Sequence, residues 1–585
     1  MRSAQPRKAR PVTGIAYLMR SVPLVSLLLF AGLLAACAGS SNRSPSSPLP
    51  SGTPIDLALA DRMYAEGDTD SASVIYSNAV TSGSLAQKQE AALKLARIAY
   101  SGGDEHGAAG NARALLESSP PAETQRRAYL LLGYSELAQG HDAPAKAAFE
   151  KYVQSRGPAL PYAQLKLADI ASRNKDSLTA ERLAAAALTA GLPPQSETDA
   201  LFALARYQKS NGETDGAAAT YKRLVEHGAT STDRGEALWQ GAQLAAAGGD
   251  VSTYVTSLRS LVAVYPSHER ALQALQDPGI GTPAERAYVQ FRNRLNDEAT
   301  ASYQALIADG DPKVQGDAHY HLGILAERAG DPDGALNEYT AAITALNGSG
   351  DPLLGDAYWD SATVLEAAGR PDEAVEHYSA VFEAAPGSDH AAEGLFRAGL
   401  IRYRQAGPGD AAGLWSRYLS AATAVEDKAR GHFWLARAEG AAGQAGLQAA
   451  ELRAAETAAP LSYYGLRARA RAAAATPAAD PPTLPDANPD PARTEAWLAA
   501  AFGAEPTPTA ASRLQSDGWR RAVELLGAGL AAEADEQFDQ VIDSSPAPWD
   551  LYRMARAMKS AGRVRPAARA AQALAGRQSD PRRGR

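Results

Sequence analysis

At 585 residues, with 45% hydrophobic and 21% charged side chains, the chain is too long for one compact core and too apolar to be disordered throughout. Its net charge is −8, and residues 1–36 hold five basic and no acidic side chains, which takes the remainder to −13. An acidic chain with no Lys/Arg stripe between aromatics is a poor nucleic-acid binder, so that class of partner is excluded.

The first segment reads as an export signal. Arg2, Arg7, Lys8, Arg10 and Arg20 form a basic region ahead of the apolar run Val22–Ala36, which is short for a membrane span. It ends in Leu34-Ala35-Ala36-Cys37, which resembles the bacterial lipobox. That resemblance implies cleavage before Cys37, acylation of its sulfur, and anchoring of the mature protein to the extracytoplasmic face of a bacterial membrane. Ala38, in place of the aspartate associated with inner-membrane retention, favours the outer membrane if there are two. Cys37 is the only cysteine, so no internal disulfide can form. The Ser/Pro-rich residues 37–54 read as a tether with a reach of roughly 20 to 25 Å.

A repeat organises the rest. A small residue recurs with glycine seven positions later, alanine at twelve, an aromatic or alanine at sixteen and sometimes proline at twenty-four. Examples are Ala60-Gly67-Ala72-Tyr76, Gly133-Gly140-Ala145-Phe149, Ala205-Gly212-Ala217-Tyr221, Gly323-Gly330-Ala335-Tyr339 and Ala362-Gly369-Ala374-Tyr378. Ala96-Gly103-Ala108-Ala112-Pro120 is a further copy, less complete ones are anchored at Ala168, Gly241 (with Gly248), Gly399 and Ala436, and the double-length gap between 241 and 323 is expected to hide one more. The pattern is that of antiparallel helix pairs. Small side chains let two helices approach, glycine accepts the positive φ that ends the first helix, and proline stops the second. The aromatic at sixteen is expected to cover the junction with the next pair.

These units resemble tetratricopeptide repeats, which implies an all-α, tetratricopeptide-like α-solenoid: a right-handed superhelix over residues 55–474 with a concave binding face. A Pro/Asp-rich linker is expected at 475–494, further helical pairs at 495–576 (anchored at Ala522 and Ala555) and a disordered tail at 577–585.

Near its end the array reads Trp434-Leu435-x-Arg437-Ala438 and then Tyr463-Tyr464-Gly465-Leu466-x-Ala468. This resembles the close of the superhelical region of soluble lytic transglycosylases and gives Trp434, Arg437, Tyr463, Tyr464 and Gly465 a structural role in the last turn. The resemblance implies peptidoglycan strands as a ligand of the concave face. A repeat scaffold for envelope proteins, without that ancestry, is the alternative. The family's catalytic Glu-Ser pair followed by Gly-Leu-Met-Gln has no counterpart here. Glu117-Ser118 lacks that element and stands at the end of a second helix, so no catalytic residue is assigned and the chain is expected to be non-catalytic.

No cofactor or metal is expected. His319 and His321 stand two apart on a helix and diverge by about 200°, and Asp331-Pro332-Asp333-Gly334 is half a calcium loop without its distal glutamate.

Overall fold

The computed structural model describes residues 55–309, 311–405, 407–460, 462–474, 491–505, 512–544 and 546–578. The export signal, Cys37, the tether, most of the linker and nearly all of the tail lie outside them. Among the described residues there are 29 α-helices in tandem, one short 3-10 helix and no strand. They fall into two compact units, one formed by the described parts of 1–163 and 505–585, the other by 164–504.

The turn inside each pair explains its sequence. In Pro312–Ala329 followed by Pro332–Leu346, Gly330 takes φ 78°, its N–H donates to the Glu327 carbonyl at 3.0 Å, and the Asp331 N–H donates to Ala326 at 2.9 Å. Two carbonyls left unpaired by the first helix are thereby satisfied. The residue after the glycine then starts the second helix, because the Asp331 carboxylate accepts the Gly334 N–H at 2.9 Å. Asp68, Asp104, Asp176 and Asp250 do the same for Ser71, Gly107, Thr179 and Thr253. The half calcium loop is therefore a helix cap.

The glycine is replaceable at a cost. Lys175 and Arg294 each hold φ 63° at the same turn. Arg294 belongs to the copy hidden in the gap, Ala287-Arg294-Ala299-Tyr303, in which Ala287, Ala299 and Tyr303 are fully buried. The first helix of this copy is cut to Pro283–Arg292, and the six-residue helix Glu269–Ala274 stands before it. The neighbouring copy slides by one. Gly248 keeps helical backbone at φ −85° and Gly249 takes φ 76°, so its anchor is the buried Ala242 and not Gly241.

The aromatic at sixteen covers the next junction, where Tyr339 clusters with Val364 and Trp415 lies 5.5 Å from Trp434, each on the first helix of the following pair. It also packs on the anchor of its own pair: a Cβ on Gly133 would lie 2.6 Å from the Phe149 ring, and one on Gly323 2.5 Å from the Tyr339 ring. With a small anchor the two helices close directly over the ring, and burying such a side chain contributes about 1.5–3 kcal/mol. The phenols turn back to the first helix. Tyr378 donates to Glu366 at 3.0 Å and Tyr339 to Glu327. Burial, reinforced by these carboxylates, pushes both phenols well above their ordinary pKa.

In the unit containing both ends of the described chain, the C-terminal pair Asp517–Gly527 and Ala531–Asp543 packs against the N-terminal pairs. The Glu524 carboxylate, 3% exposed, takes a hydrogen bond from Arg126 Nε at 3.3 Å and from Arg127 Nε at 3.1 Å. Tyr152 donates to it at 3.4 Å, and Gln537 donates to the Tyr162 hydroxyl at 3.1 Å. Nothing in the repeat spacing announces this association.

Candidate functional site

Six first helices of the unit 164–504 carry an aromatic three residues before the anchor: Phe202, Trp239, Tyr320, Trp359, Phe396 and Phe433. The first four are half-buried, so each leaves an apolar edge in reach of a ligand. Arginines stack on several of them. Arg270 Cζ lies 5.4 Å from the Trp239 ring centroid, Arg397 5.1 Å from Trp359 and Arg430 4.2 Å from Phe396. On its other neighbour, Trp359 stacks with His390 at 4.5 Å and 12°. The spacing is present in the sequence but is less strict than that of the anchors, which mask it.

The row opens into a groove at Phe202. Two adjoining depressions of about 420 and 450 Å³ share Phe202 and Glu236. Their walls come from Pro194–Ser210, from Ser231–Ala247, from Tyr221 on Thr214–His227, and from Ser267, His268 and Glu269 at the irregular repeat. Where a regular unit would bring a seventeen-residue first helix, this one supplies a loop and a six-residue helix, which leaves the space unfilled.

The charges around Phe202 are uneven. Glu236 is already held by Arg270 Nε at 3.0 Å and Gln240 at 2.7 Å, and Asp233 closes a capping box with Thr230. Arg206 and Lys209, one and four residues past the anchor Ala205, are exposed and have no ion-pair partner among the described residues. The groove thus offers an apolar floor beside a cationic edge, with the exposed Glu269 lining its other depression. It can accept an apolar side chain with a nearby carboxylate.

A second cluster sits on the next pairs. Tyr320 donates to Asp360 at 2.9 Å, and Asp356, one turn earlier, lies 3.7 Å from His390. Burial, with Glu327 and Asp356 adding to it against the Tyr320 hydrogen bond, pushes the Asp360 carboxyl up to about 6. Asp356 is raised too, by burial first.

The residues singled out by motif are brought together as a structural joint. Trp434 lies 5.5 Å from Trp415 and 6.1 Å from Tyr403, with Arg437 Cζ 4.7 Å over its ring. The helix Tyr463–Ala474 docks through Tyr464, 5.5 Å from Phe433, and through Gly465, where a Cβ would lie 2.0 Å from the Ala459 carbonyl oxygen. Tyr463 points outward, 43% exposed. Cys37 falls outside the described residues.

Other sequence candidates have ordinary roles. Ser118 caps its helix by donating to the Leu115 carbonyl at 2.7 Å, and Glu117 is exposed beside it. His319 pairs with Glu338 at 2.7 Å, whereas His321 is buried and stacked on Tyr303 at 4.9 Å. The two imidazoles are committed to different neighbours.

A tetratricopeptide repeat family model matches residues 127–156 and 199–227. Both matches begin six residues before an anchor and run through the second helix, and the later one contains Phe202, Arg206 and Lys209. The chain is an all-α, TPR-like solenoid. Among solved structures it is similar to the Naa15/Naa10 complex bound to HypK-THB, at 13% identity over 90% of this chain and 80% of that one, with a TM-score of 0.28. It is also similar to the TPR domain of P58(IPK), at 16% identity over 60% and 98% of the two chains, with a TM-score of 0.20. None of the curated proteins matches it.

Proposed function

We propose that this chain is a lipid-anchored TPR scaffold of the bacterial cell envelope, holding segments of partner proteins along its row of first helices. The observation that carries the reading is the groove at Phe202, in which a half-buried aromatic floor adjoins the unpaired Arg206 and Lys209. The fitting ligand is a protein segment with an apolar side chain seated on Phe202 and a carboxylate toward those two cations. Anchoring rests on the basic start, the apolar run and Leu34-Ala35-Ala36-Cys37.

Two experiments test this. Mass spectrometry of the mature N-terminus from membranes is expected to find a diacylglyceryl thioether on Cys37, absent in Cys37→Ser; an unmodified cysteine would remove the anchor. Envelope proteins captured by the immobilised chain are expected to be lost with Phe202→Asp and with Arg206→Glu/Lys209→Glu. Retention by both variants would remove the groove.

A second reading is supported by the joint built from Trp434, Arg437, Tyr463, Tyr464 and Gly465, through its resemblance to lytic transglycosylase superhelices. On that reading the same face positions peptidoglycan strands without cutting them. Sedimentation with purified sacculi separates the two, and release of anhydromuropeptides by the chain would contradict a non-catalytic role.

A further inference from the structure

In the unit holding the N-terminal pairs, the helix face that bears the groove elsewhere is already filled. Arg97 stands one residue past its anchor Ala96 and Tyr100 four past, the positions that Arg206 and Lys209 take after Ala205. Here the chain's own pair Asp517–Gly527 and Ala531–Asp543 lies against them. A Cβ on Gly529 would sit 3.0 Å from Arg97 Cγ, and one on Gly527 would sit 2.3 Å from Arg127 Nε. Glycines at these two places allow the close approach. Tyr100 is desolvated and feels Glu533, and both effects push its phenol up to about 12.

The association is held by polar groups. Glu524 is bonded by Arg126, Arg127 and Tyr152, and Arg521 Nε reaches the Pro158 carbonyl at 3.4 Å. A buried carboxylate held by arginines in this way can be displaced by a single reversal of charge, which apolar packing cannot. The charge match at this face is made by Glu524 alone, since Asp535, Asp539 and Asp543 are held by Arg563, Arg565 and Arg569 of the next helix.

We propose that the first-helix face of the N-terminal pairs is a second binding surface, for an acidic amphipathic helix presenting a carboxylate to Arg126 and Arg127, and that residues 517–543 are its built-in occupant. A partner helix of that chemistry competes with the C-terminal pair for the same residues. The surface shares no residue with the groove at Phe202, so it stands or falls independently of the reading above.

The test uses the full chain and, as probe, a labelled synthetic peptide of residues 512–544. In the wild-type chain the face is filled and the probe binds weakly. In Glu524→Arg, where the occupant meets Arg126 and Arg127 with like charge, the probe is expected to bind about tenfold tighter or more. Adding Arg126→Glu and Arg127→Glu re-seats the altered occupant and abolishes probe binding. Hydrogen exchange reports the opening directly: residues 517–543 are expected to exchange faster in Glu524→Arg while residues 142–154 stay protected. If 517–543 are released and the probe still binds no better than to wild type, the proposal is overturned. Equal tight binding to both chains, or slow exchange of 517–543 in Glu524→Arg, overturns it as well. Should Glu524→Arg fail to fold, Glu524→Gln carries the same comparison with a smaller gain.

Discussion

The indole of Trp415 occupies the space in which a side chain on Gly399 would begin: a Cβ there would lie 2.4 Å from the ring nitrogen, which donates to the Phe396 carbonyl at 3.3 Å. Gly399→Ala must therefore push a fully buried tryptophan off its acceptor. The expected loss is about 1–3 kcal/mol in urea unfolding. Gly413, on the exposed side of the partner helix with nothing within 4 Å, is the control, and Gly413→Ala is expected to gain roughly 0.5–1 kcal/mol. Equal effects at the two sites would show that the small anchor is not what lets the pair close.

Arg294 makes the same helix ending as the repeat glycines without being one. A side chain in the left-handed region costs roughly 1–2 kcal/mol, of which the freer unfolded chain takes back part when glycine is introduced. Arg294→Gly is expected to stabilise the protein by about 0.5–1 kcal/mol in the same assay. Destabilisation would mean that the arginine has a packing role which outweighs its backbone strain.

The helix-pair architecture was legible because its signal is repeated and local: anchor, turn and aromatic all lie within about sixteen residues. Even the hidden copy keeps Ala287, Ala299 and Tyr303, and was masked only by an arginine where glycine was sought. What the spacing left out was a second contact of the aromatic. Nothing in it says that Tyr339 closes over its own anchor as well as over the next pair, since both lie beside one face of a helix. The groove at Phe202 exists because one first helix is short, which shows in the sequence only as a gap. The bond from Glu524 to Arg126 and Arg127 joins residues about 400 apart, beyond any periodic signal.

Asp360 gives the fold a pH dependence. Its folded pKa is raised to about 6 from 3.8, chiefly by burial, so the unfolded chain gives up this proton first as pH rises. The group costs nothing below pH 4, and stability falls between about pH 4 and 6, after which the loss is constant. With part of the side chain solvated, about 2 kcal/mol is expected. Asp360→Asn keeps an acceptor for the Tyr320 hydroxyl and removes the titration. It is expected to raise stability at pH 7 by about that amount and leave it unchanged at pH 3.5. Parallel pH profiles for the two proteins would sink the assignment.

Gly465 closes the last joint of its unit. Gly465→Ala places a methyl against the Ala459 carbonyl and is expected to weaken docking of Tyr463–Ala474 by about 1–3 kcal/mol. Hydrogen exchange of that helix should quicken while Val425–Ala441 stays protected. Uniform protection in the variant would show that the glycine is dispensable there.

The most direct measurement of the scaffold reading is site-specific photo-crosslinking in living cells. A crosslinker replacing Phe202 is expected to trap discrete protein adducts that vanish when Arg206→Glu and Lys209→Glu are added. The same crosslinker at Leu178, an exposed position on a second helix, is expected to trap none of them. Identical adducts from both positions, or adducts indifferent to the charge reversal, would contradict the assignment of the first-helix groove as the place where partners are held.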